Sequence, residues 1–235
     1  MLHLCEVFGL DPVQIARQTS EILKEETGET EDIYQLLSDE GSSFVTAVRK
    51  VEMLKEKSAS VENENLRALI MSEVADMKVV MMFIAFHVAL MRNIKDVENG
   101  ELKQKESREA GVLWAQIAHQ LGLYKLKSEL EDLSLKYLEH EAYYHIKEKL
   151  NETKKSRDQY VARFIGPIEK KLTEAGLRFH MKGRTKSIHS IWQKMKKQHV
   201  GVDGVYDLFA IRIILDSPRQ KEKQDCWQVF SIITD

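Results

Sequence analysis

The sequence of 235 residues predicts an α+β protein, in which a helical region is followed by the opening of an α/β unit. Helix breakers are scarce at first: the chain has only three prolines, and glycine is rare before residue 166. The pattern changes after Gly176, where apolar and basic residues alternate in "GLRFHMKG" with the period of a β-strand. The isoleucine-rich segment "YDLFAIRIILDS" indicates a second strand.

Helices are predicted throughout the region before the first strand. Asp11 and Pro12 have the form of an N-cap followed by a first-turn proline, and they open a helix that runs to about Lys24. Further helices are predicted over residues 32–56, 62–93, 103–120, 124–138 and 141–175. Because proline breaks the helical hydrogen-bond ladder, we expect the last of them to be interrupted at Gly166 and Pro167.

The chain is expected to be cytosolic, with no membrane partner. Its longest apolar run, Val79–Met91, has thirteen residues, which is too short to cross a bilayer and suits a buried core helix. The N-terminal residues lack the basic region and the apolar length of a signal peptide. Cys5 and Cys226 are far apart, which argues against a disulfide framework and a thiolate zinc site and is typical of a reducing compartment.

The elements after Gly176 are predicted to be a strand, a turn at Gly183, a helix from Ser187 to about Gln198, and a second, largely buried strand. The segment "CWQVFSIIT" fits either a third strand or a helix, and its periodicity does not decide between them. Two strands and one helix are too few for a complete domain, so we expect this region to be the start of one.

A basic island lies in the second part of the chain. The net charge of the chain is −2, yet residues 175–202 contain seven cations and no acid. Such an island is typical of a protein that binds phosphate groups, whether of nucleic acid, nucleotide or lipid, although a solvated helix face is the alternative. The seven cations are Arg178, Lys182, Arg184, Lys186, Lys194, Lys196 and Lys197.

The helix that begins at Ser187 has two different sides. Apolar residues at spacings of three and four predict a face that packs on a sheet; they are Ile188, Ile191, Trp192 and Met195. The other side carries Lys186, Ser190, Lys194 and Lys197. The turn at Gly183 is expected to bring Arg184 and Lys186 to the helix N-terminus, where free amides and the helix dipole attract anions. This pattern predicts a polyphosphate cradle that is not a Walker loop.

Asp207 stands just before the strand that carries Arg212. A carboxylate beside a cationic cradle is what a magnesium-bound polyphosphate needs. Alternatively, Asp207 caps a turn, and Arg212 pairs with it because a charge within an apolar strand needs a partner. The residues by themselves leave three interpretations open, which are nucleotide binding, nucleic acid binding and a plain basic surface.

The segment "KGRTKSIHSIWQKM" followed by "YDLFAIRIILDS" resembles the start of the synthetase domain of RelA/SpoT-type enzymes, and residues 118–138 are similar to the segment before that domain in long, bifunctional members. These enzymes transfer pyrophosphate from ATP to the 3′-hydroxyl of GDP or GTP and so make the alarmone (p)ppGpp of the stringent response. The resemblance implies an all-helical HD-type domain over residues 1–149 and the N-terminal part of a nucleotidyltransferase-like synthetase domain over residues 150–235.

The resemblance also implies roles for six residues of the second part. Arg184 and Arg212 would sandwich the adenine of ATP. Asp207 would bind Mg²⁺ and assist the attacking hydroxyl, as the catalytic residue. The ATP phosphates would be held by Lys186, Ser190 and Lys194.

Two further parts of the family's synthetase site would lie downstream of Asp235, namely its second metal-binding acid and its guanine-stacking tyrosine. We therefore expect the chain to hold the ATP half of the site and to be inactive by itself. The ribosome-contacting parts of the family would also lie downstream.

The helical region departs from the family at its hydrolase metal site. Alignment places Glu21 and Ile22 at the family's His-Asp pair, Glu25 and Glu26 at the Glu-Asp pair that follows it, and Phe86 at a later aspartate. The side chains of Ile22 and Phe86 have no lone pair for a metal. We therefore expect a pseudo-hydrolase domain with no Mn²⁺ and no hydrolase activity. A rescued site is the other interpretation; it would use Glu21, Glu25, Glu26 and His87. The favoured interpretation is an exposed acidic face and a core histidine whose hydrogen bonds are satisfied.

A non-catalytic binding module is the competing functional class, in which the basic helix meets RNA or an acidic partner. Aromatic residues that could stack on bases are few in this region, and Trp192 lies on the apolar side of the helix. The sequence therefore favours the nucleotide.

Overall fold

The computed structural model describes residues 11, 14–15, 17–19, 21, 41–58, 64–74, 76–152, 154–206 and 208–234. The chain divides into two compact units, Met1–Tyr143 and Tyr144–Asp235. The first unit is helical in its described part, and the second combines helices with a two-stranded sheet. The predicted class, helices followed by the opening of an α/β unit, is confirmed.

The described helices of the first unit follow one another with short connections. Helices α1 to α3 cover Gly41–Lys57, Glu64–Glu73 and Met77–Asn93. A 3₁₀ turn at Ile94–Asp96 leads to α4 (Gly100–Glu109), a π-helical turn (Ala110–Trp114), α5 (Ala115–Gln120) and α6 (Tyr124–Leu138). The start predicted at residue 32 lies outside the described residues.

The single helix predicted over residues 62–93 is wrong, because the chain forms α2 and α3 there. The Asp76 side chain accepts a hydrogen bond from the Lys78 backbone N–H at 2.9 Å and so caps α3. An N-cap satisfies an amide that would otherwise lack a partner, which allows a new helix to begin at this point.

Helix α3 is the centre of the core of the first unit. It packs against α1, the π-helical turn, α5 and α6, and its residues from Val79 to Met91 are buried except Met81. The segment Met77–Asp96 is apolar and long enough to cross a membrane by composition, yet most of it is buried within the protein. The predicted core helix is therefore confirmed.

Gly111 allows α6 to approach the π-helical turn closely. A Cβ atom at this position would lie 2.8 Å from Cβ of Ser134 on α6, which is closer than side-chain atoms pack. A larger residue at this position would therefore push the two elements apart.

The second unit contains α7 (His140–Glu152, of which most belongs here), α8 (Lys154–Glu174), β1 (Phe179–Thr185), α9 (Ile188–Gln198), β2 (Phe209–Leu215) and α10 (Glu222–Thr234). A 3₁₀ turn at Val202–Gly204 precedes β2. The two strands are antiparallel, with Phe179 opposite Leu215 and Thr185 opposite Phe209. The segment "CWQVFSIIT", which fitted a strand or a helix, lies in α10.

Two sequence-based expectations about chain breaks are wrong in this unit. Helix α8 continues through Gly166 and Pro167, because Ile168 and Leu172 beyond them are held in a cluster with Val229 of α10. Gly183 is not a turn but lies inside β1, opposite Ile211. The chain leaves the strand at Lys186 instead, after the ladder ends, while Gly176 with φ of 71° ends the turn before β1.

The apolar residues of the second unit form two clusters. Phe179, Met181, Ile213 and Leu215 of the sheet pack with α8 and α10. The apolar face of α9 exists as predicted, but it packs with Ile146 of α7 and with Val202 and Val205, not on the sheet. Strand β2 is not largely buried: half-buried and exposed residues alternate along it, since only alternate side chains join the first cluster.

Candidate functional site

A cavity of about 510 Å³ lies beside the N-terminal end of α9 in the second unit. Ser190 of α9 lines the cavity, and so does Lys186, which stands just before the N-cap of that helix. The rest of the lining comes from β2, from Phe209 to Ile213, with Arg212 among these residues. Among the described residues that line this cavity, the charged ones are both cations and none is an acid. The cavity is therefore suited to an anion.

Local hydrogen bonds position the two α9-side residues of this cavity. The Lys186 backbone N–H donates to the Leu208 carbonyl at 2.8 Å, which fixes the chain where it leaves the sheet. Ser187 is the N-cap of α9 and accepts from the Ser190 N–H at 3.3 Å, while the two serine hydroxyls are 2.7 Å apart. Ser187 thus caps the first turn of the helix, and the hydroxyl groups of Ser187 and Ser190 lie together at its N-terminal end.

The structure brings together three of the five residues assigned to ATP, which are Lys186, Ser190 and Arg212. Lys194 lies one turn after Ser190 on α9, is half-buried, and is not among the residues that line the cavity. Asp207 lies outside the described residues.

The Arg184 backbone lies within β1, three residues before the N-cap Ser187 of α9. There it stands opposite Ala210, two residues from Arg212 along the partner strand. The described part of Arg184 is its backbone, so its role towards adenine stays a prediction.

Two of the positions aligned with the hydrolase ligands, Phe86 and Glu21, are described in the first unit. Phe86 is 1% exposed and packs edge-on to His87, with ring centroids 5.3 Å apart. Glu21 is helical and exposed. Ile22, Glu25 and Glu26 lie outside the described residues. Of the aligned positions that the structure describes, Phe86 thus belongs to the apolar core and Glu21 lies at the surface.

A second group of polar residues is buried in the core of the first unit. His87 of α3 and Glu106 and Glu109 of α4 are 1%, 2% and 2% exposed. His87 Nε2 lies 3.3 Å from Glu109 Oε1 and 4.0 Å from Glu106 Oε2. We call these three residues the buried His–Glu cluster.

One hydrogen bond of this cluster orients the histidine ring. His87 Nδ1 is 2.7 Å from the Phe83 carbonyl oxygen, which only accepts, so Nδ1 is the donor and Nε2 is the ring nitrogen that faces the glutamates. Among the described residues, neither His87 Nε2 nor Glu106 Oε2 has a hydrogen-bond partner. The expectation of a fully satisfied core histidine is therefore wrong for one of its two nitrogens.

Glu109 is held by more contacts than Glu106. The Trp114 indole N–H donates to Glu109 Oε1 at 2.9 Å, and Lys55 of α1 forms an ion pair with the same oxygen. Burial opposes ionisation of Glu109, but contacts with His87 and Lys55 outweigh it and hold the pKa well below its usual range. For Glu106, burial raises the pKa, and the nearby charge of Glu109 adds to this effect.

Sequence reasoning missed Glu106 and Glu109. Their spacing of three along a helix, within "QKESREAG", does place two acids on one face. Nothing in the sequence, however, indicates that this face meets His87 of α3, because that contact joins residues about twenty positions apart.

Two regions of the chain match known protein families. Residues 6–124 match the sequence pattern of the HD domain, and residues 183–235 match the region found in RelA / SpoT proteins. The chain belongs to the RelA/SpoT family. The resemblance drawn from "KGRTKSIHSIWQKM" is confirmed, and Lys186, Ser190 and Arg212 all fall within the matched region.

Curated relatives extend the similarity over nearly the whole chain. The chain is 30% identical over 226 residues to a GTP pyrophosphokinase of Escherichia coli strain K12, which covers 95% of this chain and 29% of that protein. It is 31% identical to a GTP pyrophosphokinase of Myxococcus xanthus, covering 91% of this chain and 30% of that protein. It is 28% identical to a guanosine-3′,5′-bis(diphosphate) 3′-pyrophosphohydrolase of Aquifex aeolicus, covering 99% of this chain and 32% of that protein. The chain thus spans about a third of the length of the curated relatives it matches.

Proposed function

We propose that the chain is part of an enzyme that synthesises (p)ppGpp by transferring pyrophosphate from ATP to the 3′-hydroxyl of GDP or GTP, and that the cavity beside α9 binds ATP. The observation that carries the proposal is the meeting of Lys186, Ser190 and Arg212 around one cavity. The names of the relatives, GTP pyrophosphokinase, supply the reaction. The proposed reaction implies two nucleotide substrates, ATP and either GDP or GTP.

The cavity residues divide the work of binding ATP between charge and surface. The Lys186 ammonium and the Ser190 hydroxyl flank the N-terminus of α9, where phosphate oxygens are stabilised by charge and by hydrogen bonds. The planar guanidinium of Arg212 is suited to stack on the adenine base. Lys194, half-buried on the same helix, adds a second cation for the phosphates, and Arg184 a second guanidinium for adenine.

Fixed cations account for most of what this reaction needs from the protein. Transfer forms a bond between the 3′-hydroxyl oxygen and the β-phosphorus of ATP and breaks the bond from that phosphorus to the α–β bridging oxygen, which leaves with AMP. Ammonium groups already in position stabilise the charge that develops on the phosphate oxygens without reorganisation. Mg²⁺ supplies further neutralisation when it is bound, and we propose Asp207 as its ligand because it stands just before β2. Within the chain itself, Lys186, Ser190 and Lys194 would orient the polyphosphate for attack.

We propose that the helical unit, as a domain over residues 1–149, has lost hydrolase activity. At the position aligned with a metal-binding aspartate it has Phe86, which is buried and apolar. The unit keeps a well-packed core around α3, so the proposed loss concerns the ligands and not the fold.

Titration of the chain with ATP and Mg²⁺ tests the proposed cavity. Lys186→Gln removes one charge from the cavity, whereas Lys197→Gln removes one from the exposed end of the same helix. We expect the first change to weaken ATP binding about tenfold or more, since a charged hydrogen bond contributes about 1.5–3 kcal/mol, and the second to have little effect. Equal effects of the two changes would contradict the cavity as the ATP site.

The same titration separates the nucleotide from RNA. Trp192 packs in the apolar cluster of α9, and the Lys196 ammonium lies 4.3 Å from its ring centroid, which leaves this ring a poor platform for bases. RNA binding should therefore rest on phosphate charge and fall steeply with salt, whereas ATP binding should fall less. Tight RNA binding at high salt that ATP does not displace would favour the binding-module hypothesis instead.

A further inference from the structure

We propose that the buried His–Glu cluster (His87, Glu106, Glu109) is a binding site for a divalent transition-metal ion such as Zn²⁺. The imidazole nitrogen and two carboxylates form a ligand set that such ions take in proteins. The cluster uses none of the positions aligned with the hydrolase ligands and shares only His87 with the rescued site that was considered from the sequence. It also goes beyond the proposed synthetase function, which concerns the other unit.

The geometry of the cluster is close to that of a metal site. One ligand atom from each residue lies within 4.8 Å of the other two. Ligands about 2.0–2.2 Å from a tetrahedral metal stand roughly 3.3–3.6 Å from one another. The separation of 3.3 Å between His87 Nε2 and Glu109 Oε1 already fits, and the 4.0 Å between His87 Nε2 and Glu106 Oε2 needs a small rotation of the glutamate.

The surroundings orient the ligands as outer-shell groups do in metalloproteins. The hydrogen bond from His87 Nδ1 to the Phe83 carbonyl leaves the Nε2 lone pair directed at the glutamates. The Trp114 indole N–H holds one oxygen of Glu109. Two of the atoms that would bind the ion, His87 Nε2 and Glu106 Oε2, are buried and lack a hydrogen-bond partner among the described residues, which is costly unless a cation or proton satisfies them.

The charges of the cluster also leave room for an added cation. Two carboxylates and the His87 ring face a single ammonium, that of Lys55, so two ionised glutamates favour a further positive charge in the group. The Lys55 side chain is 20% exposed and can withdraw towards water, unlike the glutamates. A divalent ion that displaced the Lys55 ammonium would balance the charge of the two carboxylates. The metal ion and Lys55 should therefore compete for Glu109.

The consequence is a structural role, since the ion would join α3 to α4 inside a closed core. The His87 ring contacts Phe86 edge-on and stacks with Trp114, with centroids 5.3 Å and 4.9 Å away, so aromatic side chains adjoin the site. A ligand bound only by the folded unit stabilises it in proportion to its occupancy.

Thermal unfolding of the whole chain tests the site, with Zn²⁺, Co²⁺ or Mn²⁺ added to protein first stripped with EDTA. At an excess of about 100-fold over the dissociation constant, we expect the transition of the helical unit to rise by roughly 5–10 °C. Mg²⁺ prefers oxygen ligands and binds imidazole poorly, so it should not produce the rise. Co²⁺ should also give visible absorption bands that report its ligands. No rise with any of the three transition metals would overturn the proposal.

Matched variants distinguish the cluster from surface histidines. Glu106→Gln keeps the shape of the side chain and removes a ligand charge, so it should fold like the unchanged chain and lose the metal-dependent rise. His119→Gln removes an exposed histidine of the same unit and should keep the rise. If Glu106→Gln keeps the full rise while His119→Gln loses it, the metal binds at the surface and the proposal is wrong.

Lys55→Met provides a test that does not depend on removing a buried ligand. Because the ammonium competes with the ion for Glu109, the variant should bind Zn²⁺ about tenfold more tightly, as measured by calorimetry. An affinity unchanged or weakened in Lys55→Met would contradict the site. His87→Gln, if it folds, should show neither the thermal rise nor the Co²⁺ absorption bands.

Discussion

The two units of the chain hold their functional charges in opposite ways. In the helical unit, His87, Glu106 and Glu109 are almost fully buried, and their neighbours are Lys55, Trp114 and aromatic rings. In the second unit, Lys186 and Ser190 are half-buried, Arg212 is exposed, and all three line a cavity. Buried charges must be neutralised inside the protein, whereas cations at an open cavity are solvated until an anion arrives.

This difference separates effects on stability from effects on binding. Changes in the buried His–Glu cluster should alter the free energy of unfolding, because an unpaired buried charge cannot reach water. Changes at the cavity beside α9 should alter nucleotide affinity and leave the fold intact, because water replaces the lost contact. Single substitutions in each unit test that separation.

Glu109→Ala should give the largest loss of stability. It removes the acceptor of the Trp114 indole N–H and the ion-pair partner of Lys55 and leaves His87 without its nearest carboxylate. Breaking a buried pair in this way costs roughly 3–5 kcal/mol. Urea denaturation followed by circular dichroism measures it, with Glu106→Gln as the matched control, which should change the free energy by no more than about 1 kcal/mol. Equal effects would show that Glu109 does not anchor the cluster.

Arg212→Ala should weaken ATP binding by about ten- to a hundredfold, which corresponds to about 1.4–2.7 kcal/mol. The side chain is exposed and lines the cavity, so the variant should unfold at the same urea concentration as the unchanged chain. Calorimetric titration with ATP and Mg²⁺ provides the affinity. Arg219→Ala, which removes an exposed guanidinium outside the cavity, is the control and should bind ATP normally. A stability loss without an affinity loss would reverse the comparison.

Asp207→Asn should remove the effect of Mg²⁺ on ATP binding while keeping the binding itself. We expect Mg²⁺ to strengthen the affinity of the unchanged chain by about tenfold, or 1.4 kcal/mol, and to leave the variant unaffected. In a longer protein that makes (p)ppGpp, the same change should abolish synthesis. If Mg²⁺ still strengthens ATP binding in Asp207→Asn, the residue is a turn cap and not a metal ligand.

The last prediction is that the chain does not hydrolyse ppGpp. The chain should release no pyrophosphate from ppGpp with or without Mn²⁺, since Phe86 at a ligand position has no lone pair and is enclosed in the core. Metal ions that bind the buried His–Glu cluster should raise stability without producing activity. Metal-dependent release above a protein-free control, abolished by a chelator, would show that the helical unit has kept a catalytic site.

The sequence by itself determined the fold class, the family and much of the cavity beside α9. Helical periodicity, the strand alternation after Gly176 and the spacing of Lys186 and Ser190 are local, and local patterns translate directly into elements and faces. Three of the five residues assigned to ATP line one cavity for this reason. Phe86 was likewise expected to be apolar core, because its neighbours in the run Val79–Met91 are apolar.

Only the tertiary structure decided the features that depend on contacts between distant segments. The continuation of α8 through Pro167, the place of Gly183 within β1 and the packing of α9 away from the sheet all depend on partners that a local pattern does not name. The buried His–Glu cluster is the clearest case. Each of its residues has an ordinary neighbourhood in sequence, and the cluster exists because α3 and α4 bring His87 to Glu109 in a core where water cannot satisfy either of them.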